Sequence, residues 1–111
     1  MAIRYRVLGQ KAVAANTDWD VYQVSGTKDA VVSSIVVANR DANNSATYRI
    51  AVRPDNATIT DDMYIAYDVQ IDPSSSVSLN LGLTMNTDDR LTVRASAATV
   101  TFNVFGTEID V

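Results

Sequence analysis

The side chains here that could do chemistry are carboxylates, arginines and tyrosines. Aspartates come in close pairs at Asp18/Asp20, Asp61/Asp62 and Asp88/Asp89. Hard oxygen ligands gathered in loops are what a calcium site requires. No pair sits in the spacing of a known calcium loop, so turn formation and solubility are the plainer reading. A glycosidase-type pair would need two carboxylates flanking one bond. Glu108 is the only glutamate, and Asp68 alone among the aspartates interrupts an apolar run. That is too little to support such a pair. No glycine-rich phosphate loop is present. The sequons at Asn43 and Asn56 are short patterns that arise by chance. Arg49 and Arg53 share one parity of an apolar run, as do Arg4 and Arg6, so each pair should lie on an outward strand face. Such rows either bridge to an acidic partner or subunit, or line a solvated face and guard an edge. Trp19, Tyr22, Tyr48, Tyr64 and Tyr67 could build a sugar-stacking platform, although tyrosines of small sandwiches mostly fill core or rim.

The absences bear on the same question. The chain has no histidine and no cysteine. Imidazole is the commonest general base and metal ligand, so Ser-His-Asp and Cys-His arrangements and the usual zinc sites are excluded. Disulfides and thiolate metal sites are excluded with them. No catalytic residue, metal ligand or cofactor is expected. The formal net charge of −4 and pI near 4.5 argue against the basic stripe of a nucleic-acid binder. No apolar run approaches the roughly 20 residues of a membrane helix. The start, MAIRYRVLGQ, lacks the apolar stretch of a secretory signal. A length of 111 residues suits one domain, and 47% hydrophobic content suits a globular one.

These side chains must be positioned by strands. Asp29–Pro54 holds two apolar runs, Val31–Ala38 and Tyr48–Val52, separated by the polar stretch Asn39–Ser45. β-Branched and aromatic residues fit a pleated surface, and Asn and Asp suit a turn, so the two runs are expected to form a central hairpin. Val31–Ala38 is apolar on both parities and should be covered on both faces. Further alternating runs are Ile3–Leu8, Trp19–Val24, Met63–Ile71, Val77–Leu83, Leu91–Ala95 and Val100–Phe105. In Met63–Ile71, Ile65, Tyr67, Val69 and Ile71 should share one face. Eight strands with turn signals every 8–12 residues predict an all-β fold with no significant helix. The expected form is a single-domain antiparallel β-sandwich, either jelly-roll or immunoglobulin-like. Residues 1–18 read as an N-terminal strand and extended arm, and residues 19–111 as the sandwich body.

Several segments carry a resemblance. They are VLGQ (Val7–Gln10), VYQV (Val21–Val24), AVVSSIVVANR (Ala30–Arg40), TYRIAVRP (Thr47–Pro54), YIAYDVQI (Tyr64–Ile71), LNLGLTM (Leu79–Met85) and FNVFGTEI (Phe102–Ile109). In this order they resemble a family of small structural proteins of tailed bacteriophages, similar to capsid decoration or cement proteins. The resemblance implies a non-enzymatic virion protein made in the bacterial host cytoplasm. It would bind the outer head surface as a homotrimer, with the major capsid protein as partner and with neither nucleic acid nor membrane. A fibre, neck or adhesion module, with carbohydrate binding as one option, is the alternative. Candidate subunit or capsid contacts are Arg4, Tyr5, Arg6, Trp19, Val32, Val36, Arg49 and Arg53. The Val31–Ala38 run would serve a trimer interface, and Ala2–Ala15 with the polar loops would grip the capsid.

Overall fold

Stretches rich in Val, Ile, Thr and Tyr, cut by Asn, Asp, Ser and Pro, form eight strands in the computed structural model, which describes residues 2–111. They are β1 (Ile3–Ala12), β2 (Trp19–Gln23), β3 (Lys28–Asn39), β4 (Ala46–Arg53), β5 (Tyr64–Ile71), β6 (Ser76–Met85), β7 (Arg90–Ala95) and β8 (Val100–Asp110). Each of the eight anticipated runs falls on one of them, with Val24 and Met63 lying one residue outside β2 and β5. The helical content among the described residues is two single 3-10 turns, Pro54–Asn56 and Asp61–Met63, in the β4–β5 connection. Among the described residues no helix is long and apolar enough to cross a membrane.

The strands form two antiparallel four-stranded sheets, ordered β1-β8-β3-β6 and β2-β7-β4-β5. Only β4 and β5 are both consecutive in the chain and paired in one sheet; every other connection crosses between sheets. This is jelly-roll topology, and it removes the immunoglobulin-like alternative. It also corrects the expected central hairpin. β3 pairs with β8 and β6, whereas β4 pairs with β7 and β5. The polar stretch between them spans the roughly 10 Å from sheet to sheet. Asn39 fastens that crossing. Its buried amide donates to the carbonyls of Asn44 at 2.9 Å and Ile71 at 3.4 Å. Its oxygen accepts from the Asp41 amide at 3.1 Å and the Thr99 hydroxyl at 3.0 Å. Asp41 in turn accepts the Asn43 and Asn44 amides, which hold its carboxyl below the usual aspartate range.

The double parity of β3 has a backbone cause. Its register against both neighbours shifts between Val32 and Ser34. Ala30 and Val32 face inward before this bulge, and Ile35, Val37 and Asn39 after it. β8 keeps one parity inward throughout, with Val100, Phe102, Val104, Gly106 and Glu108 all buried. β6 does the same with Val77, Leu79, Leu81, Leu83 and Met85. The bulge brings the β3 backbone against β8 at Gly106, where a Cβ would lie 2.1 Å from the Val31 carbonyl oxygen. Ser33 adds a hydroxyl bond to the Phe105 carbonyl at 3.2 Å.

Two other strands depart from simple alternation. β2 bulges between Asp20 and Tyr22, so Val21 and Tyr22 are both buried. β5 shifts register twice against β4, and Asp68 takes φ of 50°. Ile71 is buried and Ala66 packs on the core, while Ile65, Tyr67 and Val69 are exposed. The single apolar face expected for Ile65, Tyr67, Val69 and Ile71 is therefore broken.

Gly106→Ala should lower unfolding free energy by about 1–3 kcal/mol, since a backbone carbonyl occupies the space its methyl needs. Gly82→Ala, where nothing lies within 4 Å of an added Cβ, should change it far less. Urea denaturation of the two variants checks the contrast.

Candidate functional site

The outer face of the second sheet gathers charge. β4 and β7 run side by side with Arg49 opposite Arg94 and Arg53 opposite Arg90. Like charges directly opposite are destabilising, and aspartates from other strands offset them. Asp20 on β2 lies 3.1 Å from Arg53 and 3.5 Å from Arg90, and it accepts the Thr92 hydroxyl at 2.6 Å. Asp18 pairs with Arg94 at 3.3 Å, and Asp68 with Arg49 at 2.6 Å. The hydrogen bond from Arg49 holds the Asp68 carboxyl below its ordinary range. Arg49 also lies over the Tyr67 ring, 4.1 Å from its centroid. The outward position expected of Arg49 and Arg53 is where both lie. Arg90 and Arg94 were missed as members of this face, although their spacing in RLTVR repeats that of Arg49 and Arg53 in RIAVR.

β1 is oriented opposite to expectation. Its register sets Arg4 beside Glu108 and Arg6 beside Gly106, both on the inward parity of β8. Ile3, Tyr5 and Val7 consequently point away from the sandwich, and Tyr5 is 86% exposed. The cause is Glu108, a carboxylate only 8% exposed. It accepts the Tyr22 hydroxyl at 2.6 Å and pairs with Arg6 at 3.1 Å. A buried carboxylate needs a cation and donors, and Arg6 supplies them while half of its side chain still reaches water. Burial and the Glu108 carboxylate push the Tyr22 phenol well above its ordinary value.

The remaining candidate contacts are scattered. Val36 is half-buried on the outer face of the first sheet. Val32 is fully buried in the core and offers no surface to a partner. Trp19 is 47% exposed, with the Lys11 ammonium 4.1 Å from its ring centroid. The five aromatics do not form one platform. Tyr22 and Tyr48 are core residues, and Trp19 and Tyr67 lie on opposite edge strands of their sheet. Tyr64 and Tyr67 alone meet, edge to face at 4.9 Å, beside an open recess shared with Asp61. The acidic pairs serve turns and arginines. Asp89 accepts the amides of Asp55 and Asn86, each at 2.8 Å, and Asp62 accepts the Thr60 hydroxyl. Among the described residues no three carboxylates gather around one point.

No family model matches the chain, and no curated protein matches it. Solved structures do. The chain is similar to one from the T13 viral particle of infectious bursal disease virus, with a TM-score of 0.51 and 9% identity over 96% of this chain and 30% of that one. For the Gx strain of the same virus the TM-score is 0.54, with 10% identity over 96% of this chain and 31% of the other. A pentameric capsid protein from metagenomic phage sequences aligns with a TM-score of 0.43 and 21% identity, over 94% of this chain and 60% of its own. The likeness is one of fold. This chain spans about 30% of the length of the two infectious bursal disease virus chains.

Asp20→Asn should lower stability by about 1 kcal/mol, because it leaves Arg53 and Arg90 facing each other without their shared carboxylate. Salt screens that repulsion, so the deficit should shrink between about 0.05 and 1 M NaCl. Urea denaturation at the two salt concentrations measures it. Acid should act through Asp68 and Asp110, whose folded pKa values lie below the ordinary 3.8 because Arg49 and Lys28 hydrogen-bond their charged forms. Their stabilising contribution is complete above that value and is lost as pH falls through the lower folded values. Asp68→Asn should flatten the decline in stability below about pH 4, which denaturation across an acid series reads directly.

Proposed function

We propose that this protein is a non-enzymatic structural component of a virus particle: a cement or decoration protein that binds the outer capsid surface as a homotrimer. The observation that carries the reading is the jelly-roll fold, shared over 96% of the chain with chains of a viral particle. The sequence resemblance to small structural proteins of tailed bacteriophages supports it independently. So does the chemistry of the surface. Asp18, Asp20 and Asp68 are occupied by arginines, Asp41 and Asp89 by turn amides, and the buried Glu108 is held by Tyr22 and Arg6.

In this reading the eight-stranded sandwich is a rigid body, with β1 as the edge strand of its first sheet. Copies associate with one another and with the major capsid protein, bridging joints between capsomers. Each contact is modest, but contacts that must all break together act as one strong one. The charged outer face of the second sheet and the loops at the sandwich ends are the surfaces left for the lattice. A second reading, an adhesion or fibre module that binds glycans, draws support from the recess beside Tyr64, Tyr67 and Asp61.

Particles assembled with and without the protein test the proposal. Heads lacking it should lose their contents at lower temperature or milder salt stress, and labelled protein should cover the head in many copies. Heads equally robust without it would remove the stabilising role. Label confined to one vertex, together with binding on a glycan array, would favour the adhesion reading.

A further inference from the structure

The two outer faces of the sandwich differ in kind. On the first sheet, β6 turns Ser76, Ser78, Asn80, Gly82 and Thr84 outward. β8 turns out Thr101, Asn103, Phe105, Thr107 and Ile109. The charged residues of β1 and β8 sit on the inward parity, where Arg4 registers with Glu108, Lys11 with Phe102, and Asp110 with Lys28. Among the described residues of these four strands, Asp29 at one end is the single charged side chain on the outer face. The outer face of the second sheet carries four arginines and their aspartate partners instead.

We infer that copies of this chain meet through the uncharged outer face of the first sheet. The inference rests on the homo-oligomer proposed above and names its interface. Depletion of charge is the compositional mark of an interface core. The size fits as well. Strands of 10–12 residues rising about 3.3 Å per residue, four across at about 4.8 Å, make a plane of roughly 700 Å². A standard interface takes about 800 Å² from each partner.

Relief on the face favours a second copy as the occupant. The β1 side is a ridge, in which Tyr5 registers with Thr107 and Val7 with Phe105, and Val31 follows on β3. The β6 side is low, built of serine, glycine, asparagine and threonine. One copy therefore carries both the raised and the lowered half of a fit. The raised half of one copy thus meets the low half of the next, the head-to-tail pairing of unlike patches that a closed ring such as a trimer requires. Because the charges behind the net −4 lie elsewhere, two copies approach here without facing like charges.

Sedimentation equilibrium on the full chain tests this, with Thr107→Arg on β8 beside the ridge, Tyr5→Glu on the ridge itself and Gln70→Lys on the other sheet as control. Wild type and Gln70→Lys should form the same oligomer. Thr107→Arg and Tyr5→Glu should weaken association by roughly 30-fold or more, so that they dissociate at correspondingly higher concentrations than wild type, the effect of an unpaired charge in a buried contact. Circular dichroism should show the same strand content in all four, and Tyr5, with its exposed side chain, keeps the test open if Thr107→Arg fails to fold. Assembly of both face variants as tight as wild type overturns the inference and leaves self-association standing. A wild type that stays monomeric to millimolar concentration overturns the self-association as well. If that monomer binds particles and Thr107→Arg does not, the face serves the lattice rather than a second copy.

Discussion

A two-sheet sandwich closes only if each strand keeps enough side chains inward along its whole length, and the longest strand meets that condition by a one-residue irregularity. β3 runs through 12 residues, and its bulge between Val32 and Ser34 moves the inward set from one parity to the other. Without the step, either Ala30 and Val32 or Ile35 and Val37 would face solvent. The neighbours are built around it. Gly106 gives the bulged backbone room, and the unbroken inward parities of β6 and β8 then meet β3 on both sides. Phe102, Val104 and Ile35 fill the centre of the core that results, with no exposed surface.

A second constraint follows at the sandwich's end. β8 continues beyond the core to Asp110, and its inward parity there brings Glu108 into a buried position. A carboxylate in such a place must be matched by donors and a cation. Tyr22 reaches it from the second sheet and Arg6 from β1. The same pairing turns Ile3, Tyr5 and Val7 to solvent. The exposed apolar ridge of β1 is thus the consequence of an internal polar contact.

Strand positions were legible because period-2 patterning marks the runs, and VSLNLGL and VTFNVF alternate in the structure as they do in the sequence. The errors fall where backbone register or a distant partner overrides that pattern. In β1 the alternation was read correctly and its direction was inverted, since nothing local to IRYRVL announces Glu108 about a hundred residues away. In β3 the bulge shows in the sequence only as apolar residues on both parities, which reads equally as a strand covered on both faces, and in β5 the parity change at Asp68, whose φ is 50°, has no mark in composition. The apparent hairpin failed for a related reason. Asn39–Ser45 has the residues of a turn, but the buried bonds of Asn39 to Ile71 and Thr99 depend on strands far along the chain. On the charged face, Arg49 and Arg53 could be placed by spacing alone. Their aspartates come from β2 and β5, and only the topology shows which carboxylate meets which guanidinium.

The arrangement of charge bears on how such a protein could hold a larger body together. The arginines of the second sheet already have carboxylates, so an outside acidic group would have to replace Asp18, Asp20 or Asp68. The gain from such an exchange of partly exposed ion pairs is small, and salt weakens it further. The first sheet offers the reverse. Its outer face has few charges to desolvate, and burial there recovers apolar area on Tyr5, Val7 and Phe105 without breaking an existing bond. Strength is therefore expected from the uncharged face, and orientation from the charged one, where a misplaced partner would meet arginines or aspartates of the wrong sign. On the proposed cement reading, a flat, rigid body with these two unlike sides joins its own copies through one and is oriented on a lattice by the other.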